Sequence, residues 1–465
     1  MNQARFTHLR FHDVRHIIQG GFVKHRRLLL IGAALVVLAL AAVSLAACGS
    51  STTTTTAAPS TDSTAASGST DTTAAGVETG DDIVIGAINS LTGSNVLTGQ
   101  EEKWAQEKAV ADVNAKGGIK LADGKMHKVV LKFADDKSQP TEGAAAMEKL
   151  IKTDGVMISL SSNITPVNQA AAQVAEKYQA YYHITSSWTD EASPDGSFPG
   201  FIGGMDLKWA TDMFESAADS GLVAIGGAKA MDPADLPTKW AVMTENTPDG
   251  VGFGDATKAG LEAQGWDVVS YEKFVEGNKD FSSIILKFKQ AGVDGVVTLI
   301  APSDGITFVK QMKEQDWSPK YLFGYKGFWP GDFYDALGSD ADYIGHDGFW
   351  SETLPFPYAK ELGAAFTADH NGFTSNSVGL YYAAAQILFT AIERAGSTEP
   401  GAVRDQVFNG TFPGTTMGDI TYNDQGIADI PFLAFQWAKG GERVVLYPEE
   451  FATGKTATFV PWGER

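Results

Sequence analysis

The sequence predicts an α/β protein of two lobes, each a mostly parallel sheet flanked by helices. Short β-rich runs alternate with helical patterns through the first part of the folded region, and the same rhythm restarts after Gly204. Strand, helix, strand repeated this way implies right-handed crossovers and sheets covered on both faces. A third observation concerns stability. The 465 residues contain one cysteine, Cys48, so the fold must rest on a large core without an internal disulfide.

In the first unit, Ile83 to Ile88 is a compact apolar strand, and Lys103 to Lys116 follows as a helix with Ala105, Ala109, Val110 and Val113 at helical spacing. Gly117 and Gly118 end that helix. Val129 to Phe133 is the next strand, Thr141 to Thr153 the next helix, and Val156 to Leu160 the strand after it. Thr165 to Tyr178 reads as a third helix and Tyr181 to Thr185 as a fourth strand. In the second unit the strands are Trp240 to Thr244, Trp266 to Tyr271, Asp294 to Ile300 and Tyr321 to Phe323. Helical patterns at Val251 to Gln264, Phe281 to Gln290 and Ile306 to Gln315 lie between them; Phe281, Ile284, Ile285 and Phe288 mark one apolar face. Ligands of open parallel sheets sit beyond the carboxyl ends of the strands. Those ends include Ser161 to Thr165, Ser186 to Thr189, Glu245 to Gly250 and Gly324 to Phe328.

Ahead of this region, Lys24, Arg26 and Arg27 run into an apolar stretch from Leu28 to Ala47 that ends in Leu45-Ala46-Ala47-Cys48. A basic cluster followed by an apolar run closed by small residues is an export signal. Leu-Ala-Ala-Cys resembles the lipobox at which bacterial lipoprotein precursors are lipidated and cut, which implies a signal peptide over 1–47 and Cys48 as the lipidated first residue of the mature chain. An uncleaved transmembrane anchor is the competing reading, since about 20 apolar residues also span a bilayer. Either way the remainder is expected outside the cytoplasm, and the lipid reading holds it on the extracytoplasmic face of the cell membrane. The stretch 48–80 is nearly all Ser, Thr, Ala, Gly and Asp after the cysteine. It has too little apolar surface to offset the entropy of ordering and reads as a flexible tether. Residues 81–465 form the folded region.

Removing 1–47 leaves 30 basic and 55 acidic side chains from the 36 and 56 of the whole chain, a balance near minus 25. Such a chain is not expected to bind nucleic acid. The folded region has no Gly-x-Ser-x-Gly elbow, no His-Glu-x-x-His, no phosphate loop and no cysteine nucleophile, so an enzyme is not expected. Gly250-x-Gly252-x-Gly254 has the wrong spacing for a dinucleotide turn and reads as glycines at a helix start. His127, His183, His346 and His370 stand at no metal-ligand spacing. Neither a metal nor a cofactor is expected.

A resemblance now becomes specific. Ile83-Val84-Ile85-Gly86, Leu91-Thr92-Gly93, Gly99, and Val113-Asn114-Ala115-Lys116-Gly117-Gly118-Ile119 are similar to the opening of the leucine/isoleucine/valine-binding protein family. Ala134-Asp135-Asp136, Ser161-Ser162, Ile184-Thr185-Ser186-Ser187, Lys279-Asp280-Phe281-Ser282 and Gly379 to Ala385 continue the match in order, so that it covers about Asp81 to Trp437. The resemblance implies the periplasmic-binding-protein type I fold and a substrate-binding protein that delivers a small molecule to the permease and ATPase subunits of an ABC importer. It places lobe one at about 81–199 and 355–418, and lobe two at about 204–344 with a C-terminal return segment. Phe198 to Gly203 and Gly345 to Thr353 are the expected hinges. A monomer is expected; a tethered ligand-sensing ectodomain is the alternative, with a hydrolase behind it.

In amino-acid-binding members, lobe-one hydroxyls take the ligand carboxylate and a lobe-two acid takes its ammonium. Carried over loop by loop, lobe one would offer Ser162, with Ser161 or Asn163, and Ser187 and Thr189, with Trp188 as an aromatic face. The alternative for Ser161 and Ser162 is capping of the helix near Thr165. Lobe two departs from the pattern: an aromatic position is Asp249, and the acidic ammonium acceptor falls on Lys326, beside Tyr325. A lysine there repels an α-ammonium by about 4 kcal/mol for unit charges 4 Å apart at an effective dielectric near 20. Either the ligand presents an anionic or carbonyl group to Lys326, or Lys326 pairs with Asp249 and the ligand is neutral. Tyr325, Phe328 and Trp329 are further candidate aromatic faces for a planar solute.

Overall fold

Strand β1, Ile83–Asn89, is buried at six of its seven positions, the signature of a central strand covered on both faces. A computed structural model describes residues 78–187, 207–213, 217–428, 430–456 and 459–464. Helix α1, Val96–Ala115, follows β1 and stops where Gly117 and Gly118 take positive φ of 110° and 105°, a region that favours glycine. A short hairpin, β2 (Ile119–Lys120) and β3 (Met126–His127), precedes β4 (Val129–Asp135). Then come α2 (Pro140–Lys152), β5 (Ile158–Leu160), α3 (Thr165–Tyr178), β6 (Tyr181–Ile184) and β7 (Ala210–Asp212). Their sheet has the order β4-β1-β5-β6-β7, with every neighbour parallel.

The chain then enters α4 (Ala217–Lys229), β8 (Lys239–Glu245), α5 (Pro248–Ala263), β9 (Asp267–Phe274), α6 (Ser282–Ala291), β10 (Gly295–Ile300), α7 (Pro302–Glu314), β11 (Tyr321–Lys326), α8 (Gly331–Leu337) and β12 (Gly345–Gly348). It returns through α9 (Ala359–Asp369), α10 (Val378–Ala395), α11 (Pro400–Val407) and the hairpin β13 (Thr411–Thr415) and β14 (Gly418–Thr421). It ends with β15 (Leu433–Trp437) and β16 (Arg443–Tyr447). The second sheet runs β16-β15-β12-β11-β10-β8-β9. It is parallel from β9 to β12, and β15 and β16 add antiparallel at the β12 edge.

Each sheet with its helices makes one lobe, and the chain passes between the sheets in several places. The expected boundary near 199 to 204 falls outside the described residues, but β7 still belongs to the first sheet, so the chain leaves that sheet after Asp212. Gly345 to Gly348, expected within a hinge, is strand β12, and Gly345 pairs with Phe323. A Cβ at Gly345 would stand 2.6 Å from the Phe323 ring, which makes this glycine a packing requirement. The return begins at Phe349 and Trp350, whose amides both donate to the Asn376 carbonyl at 3.0 Å. A further crossing lies beyond Ala428, whose amide donates to Asp212 O at 2.8 Å, so two crossing segments are tied to each other.

Helix α10 buries thirteen of its 18 residues and packs against α1 and α11, which fixes the return segment to the first lobe. Helix α4, which the sequence reading did not anticipate, packs on β12, β15 and β16. Its Gly226 and Gly227 let the backbone approach the Tyr447 ring and the Tyr321 hydroxyl; a Cβ at either would come within 2.5 and 2.7 Å of them.

Candidate functional site

The carboxyl ends of β1, β4, β5 and β6 gather a buried polar network. Asp136, just beyond β4, is fully buried. Its Oδ1 accepts from Ser90 Oγ at 2.8 Å and Ser138 N at 2.7 Å, and its Oδ2 accepts from Ser162 Oγ at 2.5 Å. The adjacent Asp135 instead shapes the β1–α1 loop, accepting from Leu91 N, Thr92 N, Thr92 Oγ1 and Lys137 N. Burial pushes the Asp135 carboxyl up, but these donors, Thr92 foremost, outweigh it and hold the group below its ordinary value.

Ser162 and Ser187 converge on one hub, Asn168 of α3, and Ser161 joins the network through Ser162. Asn168 Oδ1 accepts from Ser162 N at 3.1 Å and Tyr182 OH at 2.6 Å. Its Nδ2 donates to Ser162 O and Ser187 Oγ, both at 2.8 Å. Ser161 Oγ donates to Ser162 O and accepts from Thr185 N, each at 2.9 Å. Helix capping is not the role of either serine: the cap position is Ile164 and no side chain caps it. Asn163 Nδ2 donates to Glu102 Oε2 at 3.2 Å. Burial raises the Glu102 carboxyl well above its ordinary value; the Asn89 amide pulls the other way, and Asp136 adds to the rise. Trp188 and Thr189 lie outside the described residues, as does Cys48.

On lobe two, β8 and β11 end beside one another across β10. Lys326, the last residue of β11, has a left-handed φ of 65°, and the following Gly327 lies so close to β10 that a Cβ would stand 2.3 Å from Ile300 O. The Lys326 ammonium meets Glu245 Oε2 at 3.0 Å and Oε1 at 3.3 Å, with Glu276 Oε1 at 3.7 Å. Glu245 is 1% exposed and Lys326 is partly exposed. Burial raises the Glu245 carboxyl, the Lys326 ammonium lowers it, and the net result stays above the ordinary value. The structure pairs Lys326 with Glu245, with Glu276 beyond it; Asp249 is the second residue of α5, and its side chain lies outside the described residues.

Tyr325 belongs to the core and does not line the strand ends. Neighbours on a strand point to opposite faces, so Tyr325 turns away from the Lys326 side. Its ring lies 4.4 Å from that of Phe253 and its hydroxyl accepts from Ala224 N at 3.0 Å. Phe328 is likewise buried, stacked 4.7 Å from Phe333, while Trp329 donates from Nε1 to Asp347.

Strand-end logic reached the loops that carry Ser90, Ser161, Ser162, Ser187, Glu245 and Lys326. It did not single out Ser90, Glu102, Asp136, Asn168 or Glu245 as individual side chains, because their partners come from distant segments. The Asp135-Asp136 pair was a visible signal, since neighbouring acids at a strand end point to different tasks. Among the described residues, no three His, Cys, Asp or Glu side chains gather as a metal site, and no helix is long and apolar enough to cross a membrane.

Residues 82–442 match the family described as periplasmic binding protein. The chain is 29% identical over 364 residues to Leu/Ile/Val-binding protein homolog 3 of Brucella melitensis, covering 77% of this chain and 92% of that one. The fold is similar to that of the branched-chain amino acid transporter substrate binding protein LivJ from Streptococcus pneumoniae, solved in complex with isoleucine. That likeness has a TM-score of 0.66 at 21% identity, over 79% of this chain and all of that one. It is also similar to a solute binding protein of an ABC transporter from Rhodopseudomonas palustris, in complex with 3,4-dihydroxybenzoic acid, with a TM-score of 0.64 at 19% identity over 83% and 99% of the chains. With its two sheets, its strand-end network and this match over most of its length, the chain belongs to the leucine/isoleucine/valine-binding family of type I periplasmic binding proteins, extracytoplasmic solute-binding components of ABC transporters and not enzymes.

Proposed function

We propose that this chain is the capture subunit of an ABC importer, lipid-anchored through Cys48, that closes its lobes on a small organic solute and hands it to the permease. The solute class is an amino-acid-like molecule, a carboxylate, an amide or an aromatic acid. The observation that carries this reading is the group Lys326, Glu245 and Glu276 at the carboxyl ends of β8, β9 and β11, where the family resemblance puts a single ammonium-accepting acid. One ammonium between two carboxylates can meet an anionic or carbonyl group through the lysine. Glu245, 3.0 Å away, also offsets the repulsion that an unpaired lysine would exert on a solute ammonium. The related fold carries isoleucine in one protein and 3,4-dihydroxybenzoic acid in another, so both solute types are compatible with its frame.

Thermal unfolding of the full chain in detergent, with amino acids, small carboxylates, amides and aromatic acids added in turn, tests the proposal. A solute at 100 times its dissociation constant stabilises the native state by about 2.7 kcal/mol. Stabilisation by acids or amides but not by leucine or valine assigns the contact to Lys326. Stabilisation by aliphatic amino acids shows that the site accepts an ammonium despite Lys326 and returns the chain to the amino-acid role of its family. No stabilisation by any of these classes contradicts the proposal.

A further inference from the structure

Behind the serine network, four polar side chains meet and leave buried polar atoms that their own hydrogen bonds do not satisfy. Glu102 and Gln106 come from successive turns of α1, Asn89 is the last residue of β1, and Asn163 follows β5. Glu102, Gln106 and Asn89 are at most 1% exposed. Gln106 Nε2 donates to Glu102 Oε1 at 3.4 Å and Asn163 Nδ2 to Glu102 Oε2 at 3.2 Å, so both amides have their nitrogen turned to the carboxyl. Their oxygens, Gln106 Oε1 and Asn163 Oδ1, are covered and have no partner. Asn89 sits beside the same carboxyl, and neither its amide nitrogen nor its oxygen completes a hydrogen bond of normal geometry. Buried polar groups are nearly always partnered in native proteins. Here three carbonyl-type oxygens are left over around one carboxyl, with no cationic side chain bonded to it.

The serines in front share this bias. A hydroxyl has one proton, and those of Ser90 and Ser162 are both given to Asp136, which leaves only their lone pairs for anything else. At Ser90 and Ser162 lobe one therefore offers acceptors where the family resemblance implies donors for a carboxylate, whereas Ser187, which accepts from Asn168 Nδ2, keeps its own proton.

We propose that Asn163, Asn89 and Gln106, arrayed around Glu102, form a subsite that receives the donor-bearing end of the solute, an ammonium, amide or hydroxyl group. This rests on the solute-binding reading above and reverses the polarity expected of the two lobes: donor end to lobe one, acidic or carbonyl end to Lys326. Burial that keeps Glu102 protonated to higher pH reduces the charge the subsite carries when empty.

The test is calorimetric titration of the full chain in detergent with matched pairs that differ in their donors: leucine against 4-methylpentanoate, and 3,4-dihydroxybenzoate against benzoate. A site built to hydrogen-bond a solute O–H or N–H discriminates strongly against the analogue without it. The donor-bearing member of at least one pair is expected to bind about tenfold tighter or more. In Asn163→Leu, and separately in Gln106→Met, that preference is expected to shrink to within about threefold while the donor-free member binds as before. Unchanged thermal unfolding of Asn163→Leu, whose position lies in a loop, separates loss of the subsite from loss of the fold. Equal binding of both members, or a preference that survives both substitutions, overturns the subsite and leaves solute capture standing. A wild-type chain that binds none of the four solutes overturns the solute-binding reading for these classes and the subsite with it.

Discussion

Lys326 and Glu245 show how one side chain decides the chemistry of a strand end. Glu245 is 1% exposed and its close cationic contact is the Lys326 ammonium at 3.0 Å. Removing one partner of a buried pair costs more than removing both, because the remaining charge stays desolvated. Allowing for the partial exposure of the lysine, Lys326→Met is expected to destabilise the chain by about 2 kcal/mol. Adding Glu245→Gln should recover most of that loss, and urea unfolding of the two variants and the double variant reads the cycle. Glu102 gives a pH prediction. Its carboxyl is raised in the folded state, so its contribution to stability is fully present below the ordinary value of 4.5 and is lost as pH rises through the folded value. Glu102→Gln is therefore expected to flatten the fall of the unfolding temperature as pH rises above the ordinary carboxylate value. A variant whose pH profile matches the wild type contradicts the assignment.

Individual elements were legible in proportion to how local their cause is. The central strands β1, β8, β10 and β11 read as apolar runs because both faces of each are covered, and α1 ended at Gly117 and Gly118 because their φ values require glycine. Strand β12, Gly-His-Asp-Gly, has no apolar run and is held by its neighbours β11 and β15. Helix α4 carries Gly226 and Gly227, which weaken helix propensity and are explained only by the sheet they pack on. The same limit applied to the site. Loop positions followed from strand ends, but Asp136 joining Ser90 to Ser162 spans three segments, and no spacing rule reports that. The start of α5 offers an internal control on such close packing. A Cβ at Gly250 would stand 2.1 Å from Glu245 O, while one at Gly252 meets nothing within 4 Å. Gly250→Ala is expected to cost about 1–3 kcal/mol by overpacking. Gly252→Ala should be neutral or stabilise by up to about 1 kcal/mol, and denaturation midpoints compare the two directly. Equal effects would mean that the helix start does not press on the Glu245 turn.

At the scale of the whole molecule, the two sheets are joined by several passes of the chain, among them Asp212 to Ala217, the segment after β12 and the segment after Ala428. A few crossing segments between two sheets suit rotation of one lobe against the other, because a small number of backbone angles can absorb it. The proposed tether makes a separate prediction: Cys48→Ala is expected to move the chain from the membrane pellet to the soluble or unprocessed fraction, read by fractionation and by the mass of the mature N-terminus. A variant that keeps the wild-type distribution and mass contradicts lipidation at Cys48. Capture by closure is the central claim, and small-angle X-ray scattering of the detergent-solubilised chain with and without a saturating stabilising solute tests it most directly. The account predicts a smaller radius of gyration in the bound state, with the change saturating at one solute per chain. An unchanged radius at full occupancy would contradict closure.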